Sequence, residues 1–353
     1  MQMVKTNGEK VFQVCGCEAV YAASEELLRY ITGFVAENGF VIVDKEGTTL
    51  FTDRRYIEAA EKLLSGSGVK AVLYKQGEAL ERLAKYSSVG ISFDRTSVSE
   101  YTTFEKAGVK MVNVDDKFTA LMQVKNDWEL ECIQKACEIA EDAFLELLPE
   151  IKEGMTEKEV AALLEYKMRK LGAEGTSFDT IVAFGAHAAV PHHETGDTRL
   201  QFGDEILIDF GCKVNGYCSD ITRTFLFGDD GKHERFKEAY AHVLRAHWLV
   251  QEQLTAGMTG KQADEIARGY LTENGLGELF THSLGHGIGL RVHESPSVSM
   301  RGETPLVDGM VFSDEPGVYV AGEYGIRIED TITLKDGKVK SFMNKTDKNL
   351  IVL

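Results

Sequence analysis

The run Ile206-Leu-Ile-Asp209-Phe-Gly211 has the pattern of a buried strand carrying one acid, and an unpaired buried carboxylate needs a cation or strong donors beside it. Asn215-Gly216 follows, the strongest short hairpin signal, and a two-residue turn there sets Asp209 opposite Thr222. Thr222 has the parity of Asp220, so Asp209 and Asp220 share a face one diagonal step apart, where their carboxylates can converge on one ion. Further along, residues 326–334 mostly alternate and read as one strand with Arg327, Glu329 and Thr331 on one face and Ile326, Ile328 and Ile332 on the other. Glu329 is thus another acid on a half-buried strand. Six of the nine histidines fall in two windows, His187, His192 and His193 in one and His282, His286 and His293 in the other. Gly285, Gly287 and Gly289 suit a close backbone approach around His286.

These residues belong to an internal repeat. Gly154-Met-Thr-Glu-Lys158 recurs as Gly257-Met-Thr-Gly-Lys261, each starting a helix with Thr as N-cap and Glu159 or Gln262 as capping-box partner. Both helices close at glycines, Gly172 and Gly275, and the long helix beginning at Asn126 has a counterpart over 233–254. The strand 205–211 corresponds to 311–317, which sets Asp209 against Glu315. Two repeats are too few for a solenoid, so a pseudo-twofold domain with strands from both halves facing a shared centre is expected. Four carboxylates and an imidazole carry about four negative charges, too many for one divalent ion and suited to two. Hard oxygen ligands with a single nitrogen favour manganese, cobalt or iron, with zinc also compatible. The alternative, ordinary surface ion pairs and loop-bound histidines, fits poorly with so many such residues on buried-pattern strands of a repeat.

The elements that precede this region have another texture. Up to about residue 118, short β-rich runs alternate with amphipathic helices: a hairpin of 40–43 with 48–51, helices over 55–64 and 79–86, strands at 69–74, 89–93 and 111–114, and a helix capped by Ser97. No chemical constellation occurs there. The sequence therefore divides into an α/β domain over 1–120 and a mixed α+β domain over 121–353.

Composition bounds the partners. Asp+Glu 56 against Lys+Arg 39 gives a net charge of −17, which repels phosphate backbones and anionic membranes, so no nucleic acid and no membrane partner is expected. No window approaches the ~20 apolar residues of a bilayer span and the start has no signal-like apolar run, which reads as a soluble, cytoplasmic chain. The six cysteines lack CxxC or Cys/His zinc spacing and read as reduced thiols.

Taken together, Asp209 and Asp220 eleven apart, His282-Ser-Leu-Gly-His286-Gly, Val292-His293-Glu294, Glu315-Pro-Gly-Val-Tyr319 and Arg327-Ile-Glu329 resemble the Xaa-Pro aminopeptidase and prolidase branch of the pita-bread metallopeptidases. The resemblance spans the whole chain, including Leu28-Arg-Tyr-Ile-Thr-Gly-Phe34 and Thr52-Asp-Arg-Arg-Tyr56. It implies a creatinase-like leading domain and a pita-bread catalytic domain. It implies that Asp209 binds a first metal, that Asp220 and Glu329 bridge two, and that His286 and Glu315 complete the second. It also implies that His192, His282, His293 and Arg327 line the substrate site, and that the protein is a homodimer. His187 and His193 have no counterpart in it and read as loop residues. The implied reaction is hydrolysis of the bond between an N-terminal residue and proline. Two cations would lower the pKa of a shared water and polarise the carbonyl, with Glu315 as proton shuttle and His293 as donor to the developing oxyanion. Two other readings remain: a strict Xaa-Pro dipeptidase, and a non-catalytic pita-bread module that binds peptides.

Overall fold

A computed structural model describes residues 5–353, and the chain divides between Met122 and Gln123 into two units. In the leading unit, strands Ala19–Ala22, Phe40–Asp44 and Gly47–Thr52 run antiparallel in sequence, while Val69–Leu73, Val89–Ile91 and Met111–Asn113 add in parallel, giving one mixed six-stranded sheet. Its buried face is aromatic: Phe40 stacks on Phe51 with centroids 4.8 Å apart, and Tyr21 meets Phe104 edge-on. Asp44 pairs with Gly47, so the hairpin turns on Lys45-Glu46. The helix expected over 79–86 stops at Leu83, and Tyr86 lies beyond it with its hydroxyl donating to the buried Asp44 carboxylate.

The second unit shows the duplication in three dimensions. Thr156 caps helix Glu157–Lys170 and Thr259 caps helix Gly260–Glu273, each in a complete capping box with Glu159 or Gln262. These helices pack against Asp127–Leu147 and Glu234–Gln253 respectively. Asn126 caps the first long helix, whose buried stripe includes Ile133, Cys137, Ala140 and Phe144. In one half the strand order is Ile221–Leu226, Glu205–Phe210, Ile181–Phe184; in the other, Asp330–Lys335, Val311–Asp314 and Gly285–Gly287 follow the same order. Matching strands in matching order are what a duplicated, pseudo-twofold unit requires. The Asn215-Gly216 turn holds: both residues have positive φ, 49° and 79°, and Asp209 pairs with Thr222 as expected.

One expectation is corrected. Residues 326–334 are not one strand but two, Tyr324–Arg327 paired with Gly317–Val320 and Asp330–Lys335 paired with Val311–Asp314. Between them Ile328 donates its N–H to Pro316 and Glu329 donates to Thr222, so the chain changes partners at those residues. Side-chain alternation carries through the break, which is why the pattern looked continuous. All six cysteines are free and buried. Among the described residues no helix is long and apolar enough to cross a membrane.

Removing the cap hydroxyl of either repeated helix should lower stability without touching the site. Thr156→Ala or Thr259→Ala is expected to cost about 1 kcal/mol, read as a lower midpoint in urea unfolding with the slope unchanged.

Candidate active site

The carboxylates come from duplicated places in the two halves. Asp209 lies near the end of strand Glu205–Phe210 and Glu315 directly follows strand Val311–Asp314; Asp220 directly precedes Ile221–Leu226 and Glu329 directly precedes Asp330–Lys335. The halves brace one another through two threonines. Thr222 donates its hydroxyl to Glu329 Oε2 at 2.6 Å, and Thr331 donates to the Asp220 carbonyl at 2.7 Å while accepting from the Asp220 N–H. Each threonine therefore fixes the acid of the opposite half.

His286 enters from strand Gly285–Gly287. Its Nε2 lies 3.3 Å from Glu315 Oε1 and 3.7 Å from Asp220 Oδ2. Asp220, His286 and Glu329 each offer a ligand atom within 4.8 Å of the others. Gly285 and Gly287 sit so close to neighbouring backbone that a Cβ on either would fall 2.1 Å from Ser313 O or 2.3 Å from Ser295 C. Arg327 donates to Asp209 Oδ2 at 2.6 Å, while Oδ1 is buried with no hydrogen-bond partner among the described residues.

The electrostatics follow from this crowding. Burial, followed by repulsion from neighbouring carboxylates, pushes the Asp220 and Glu329 carboxyls well above the usual range, and burial raises Asp209 against the pull of Arg327. Burial also works against Glu315, but its hydrogen bond to His286 and the nearby positive groups outweigh it and hold its carboxyl down at about 2. Within the cluster the acids lack enough positive charge. The unsatisfied Asp209 oxygen, the crowded acids and the single imidazole make a donor set that fits divalent metal.

A cavity of about 820 Å³ opens onto this cluster, lined by all five groups together with His192, His282, His293 and Arg327. The sequence-predicted residues are thus assembled, yet they are not equivalent. Arg327 is buried, with its guanidinium bonded to Asp209, Thr222 and the Tyr319 hydroxyl. Tyr319, accepting from Arg327, lies 2.8 Å from His282 Nε2, and His282 Nδ1 lies 2.8 Å from the Ser283 carbonyl. Both ring nitrogens of His282 are therefore occupied. His192 and His293 are exposed at the wall, with the His293 ring 4.0 Å from that of His286. Burial, then the neighbouring His286, lowers the His293 pKa.

The sequence model of metallopeptidase family M24 matches residues 131–336, and that of the creatinase/prolidase N-terminal domain matches residues 10–121. The chain belongs to metallopeptidase family M24. It is 40% identical over 316 residues to a Xaa-Pro dipeptidase of Pyrococcus furiosus, covering 89% of each chain. It is 39% identical to a Xaa-Pro dipeptidase of Pyrococcus horikoshii, covering 95% of this chain and 94% of that one. In three dimensions it resembles an X-Pro aminopeptidase from Thermotoga maritima MSB8, with a TM-score of 0.90, 36% identity, and coverage of 98% and 100%. The creatinase-like leading domain and pita-bread second domain expected from the motifs are what these M24 matches show.

Several residues that shape this M24 site went unnoticed in the sequence. Lys125 donates from a buried position to Glu294 at 2.7 Å, beside His293. Asp264 and Arg268 hold the His282 loop, the acid accepting from the Leu284 N–H and the guanidinium donating to the Phe280 and His282 carbonyls. Behind the candidate ligands, Asp314 and Asp330 point the other way along their strands, meeting the buried His247, Arg223 and Lys348. Only the parity of those strands hinted at that second set of acids. His187 and His193, read as loop residues, are both bound to the Glu157 carboxylate.

Because burial and neighbouring carboxylates push the Asp220 and Glu329 carboxyls upward in the metal-free chain, protons compete with metal for them. Adding manganese near neutral pH should release protons, seen in calorimetry as a heat that changes with the buffer's ionisation enthalpy. Glu329→Gln should release fewer.

Proposed function

We propose that the chain is a metal-dependent Xaa-Pro aminopeptidase that hydrolyses the bond between an N-terminal residue and proline. One observation carries this reading: five potential ligands from the two halves converge on a single cavity whose wall also presents His293 and His192. The names borne by the Pyrococcus and Thermotoga relatives support it. In this reading Asp209, Asp220, His286, Glu315 and Glu329 hold two divalent ions, manganese first among them and cobalt, zinc or iron also accepted, in a cytoplasmic homodimer. When bound, such ions supply Lewis acidity toward the scissile carbonyl and bring the pKa of water near neutrality.

The chain's own groups do the rest. Asp209 keeps Oδ1 for metal because Arg327 holds Oδ2, so the arginine sets the direction of that ligand while lining the proline side. Glu315 rests as a carboxylate, ready to take the proton of the attacking water and pass it to the leaving nitrogen. That transfer is needed because proline leaves as a secondary amine. An imide bond before proline also has no N–H, so recognition falls to groups around it. His293 donates to the carbonyl oxygen as it becomes an oxyanion, His192 orients the substrate, and His282 packs beside it.

A strict dipeptidase is the second reading, favoured by the names of the two Pyrococcus relatives. Rates on Xaa-Pro against Xaa-Pro-Xaa-Xaa substrates separate the two, and cleavage of neither would remove both. Asp220→Ala should abolish metal binding and turnover together; unchanged turnover would eliminate the assignment. His293→Ala is expected to retain the metals, counted by atomic emission, and to lower kcat by ~10²-fold or more.

A further inference from the structure

Helix Glu157–Lys170 begins with a residue whose side chain is 0% exposed and ionisable. Glu157 Oε1 accepts from the Phe184 N–H at 3.1 Å and lies 2.9 Å from His187 Nδ1; Oε2 accepts from the Gly196 N–H at 2.8 Å and lies 2.9 Å from His193 Nε2. The two imidazoles lie side by side, centroids 4.5 Å apart and planes tilted by 36°, and among the described residues no lysine or arginine is paired with this carboxylate. Burial pushes the carboxyl up, but the two imidazoles and two backbone N–H groups outweigh it and hold it below the ordinary range, so it is an anion. The neighbouring Lys158 is turned to Asp197.

We infer that Glu157, His187 and His193 form an additional divalent-ion site, of the zinc class, separate from the cluster in the cavity. Two imidazole nitrogens and a carboxylate are a donor set zinc takes readily, with a fourth position left for water. All three ligand atoms lie within 4.8 Å of one another. A tetrahedral ion with bonds of ~2.0–2.1 Å spaces its ligands by roughly 3.3 Å. His187 Nδ1 and His193 Nε2 lie 2.9 Å from different oxygens of the carboxylate, so an ion seated between the rings would replace both hydrogen bonds and be held by the two nitrogens with one or both oxygens. His187 is 44% exposed and provides the way in, while the two backbone N–H groups already orient the carboxylate from behind.

The placement gives the ion a consequence. His193 lines the cavity and directly follows His192, whereas Glu157 and His187 stand outside the lining. An ion here would tie the segment 187–193 to the start of a helix and so hold the part of the cavity wall that carries His192. This inference does not depend on the peptidase reading.

The test is a zinc count. Purified chain is dialysed against excess zinc, passed through a desalting column, and its metal measured by atomic emission, for wild type, His187→Ala and Glu157→Gln, with circular dichroism to confirm folding. Both variants should hold one zinc per chain fewer than wild type. Asp220→Asn should lose metal from the cavity and keep this ion, so failure of the cavity assignment is seen separately. Cobalt substitution provides a second readout: visible d–d absorption that His187→Ala diminishes and Asp220→Asn retains in part. Equal zinc in wild type, His187→Ala and Glu157→Gln overturns the site and leaves a purely hydrogen-bonded brace.

Discussion

Four carboxylates brought out of water around one centre are the constraint to which the second unit is built. Asp209, Asp220, Glu315 and Glu329 repel one another, and desolvation adds to the penalty, so without cations three of the four are driven toward their neutral forms. The surrounding strands hold such a cluster in place, and in the proposed reading divalent metal relieves it. The acids stand at equivalent places in the two halves, so the same local device, an acid near the end of one strand and another just before its neighbour, is used twice.

That duplication explains how the centre is held. Thr222 and Thr331 lie two residues beyond Asp220 and Glu329, and each reaches across to the acid of the other half. The halves are thus stitched at the candidate ligands. Strand alternation then gives the same strands a second charged face, where Asp314 and Asp330 point away from the cavity into a wholly buried set with His247, Arg223 and Lys348. Arg223 also donates to the Glu329 carbonyl at 2.6 Å, so this rear network fixes the backbone from which a ligand projects. The positive groups behind are taken up by Asp314 and Asp330 themselves.

The cavity wall is organised by a different principle. Buried acids at or near the starts of the two repeated helices each pin a loop: Glu157 gathers the segment bearing His192 and His193, and Asp264 with Arg268 fixes the segment bearing His282. A rigid wall of this sort positions imidazoles without placing them on a strand. It also divides the histidines by task. His282 has both nitrogens taken by neighbours, while His192 and His293 face the open volume.

The sequence by itself determined the repeat, the capped helices, the Asn215-Gly216 hairpin and hence the pairing of Asp209 with Thr222, because each depends on residues close together in the chain. It determined the four converging acids and the imidazole through motifs whose spacing is characteristic, and the family with them. What only the tertiary structure decided depends on contacts between distant segments. The run 326–334 changes partners at Glu329, although its alternation never falters. Lys125 finds Glu294 across 169 residues, and His187 and His193, loop residues on paper, close on a glutamate from a preceding helix. Local pattern records which way a side chain faces; it does not record what will be waiting there, since that is settled by packing.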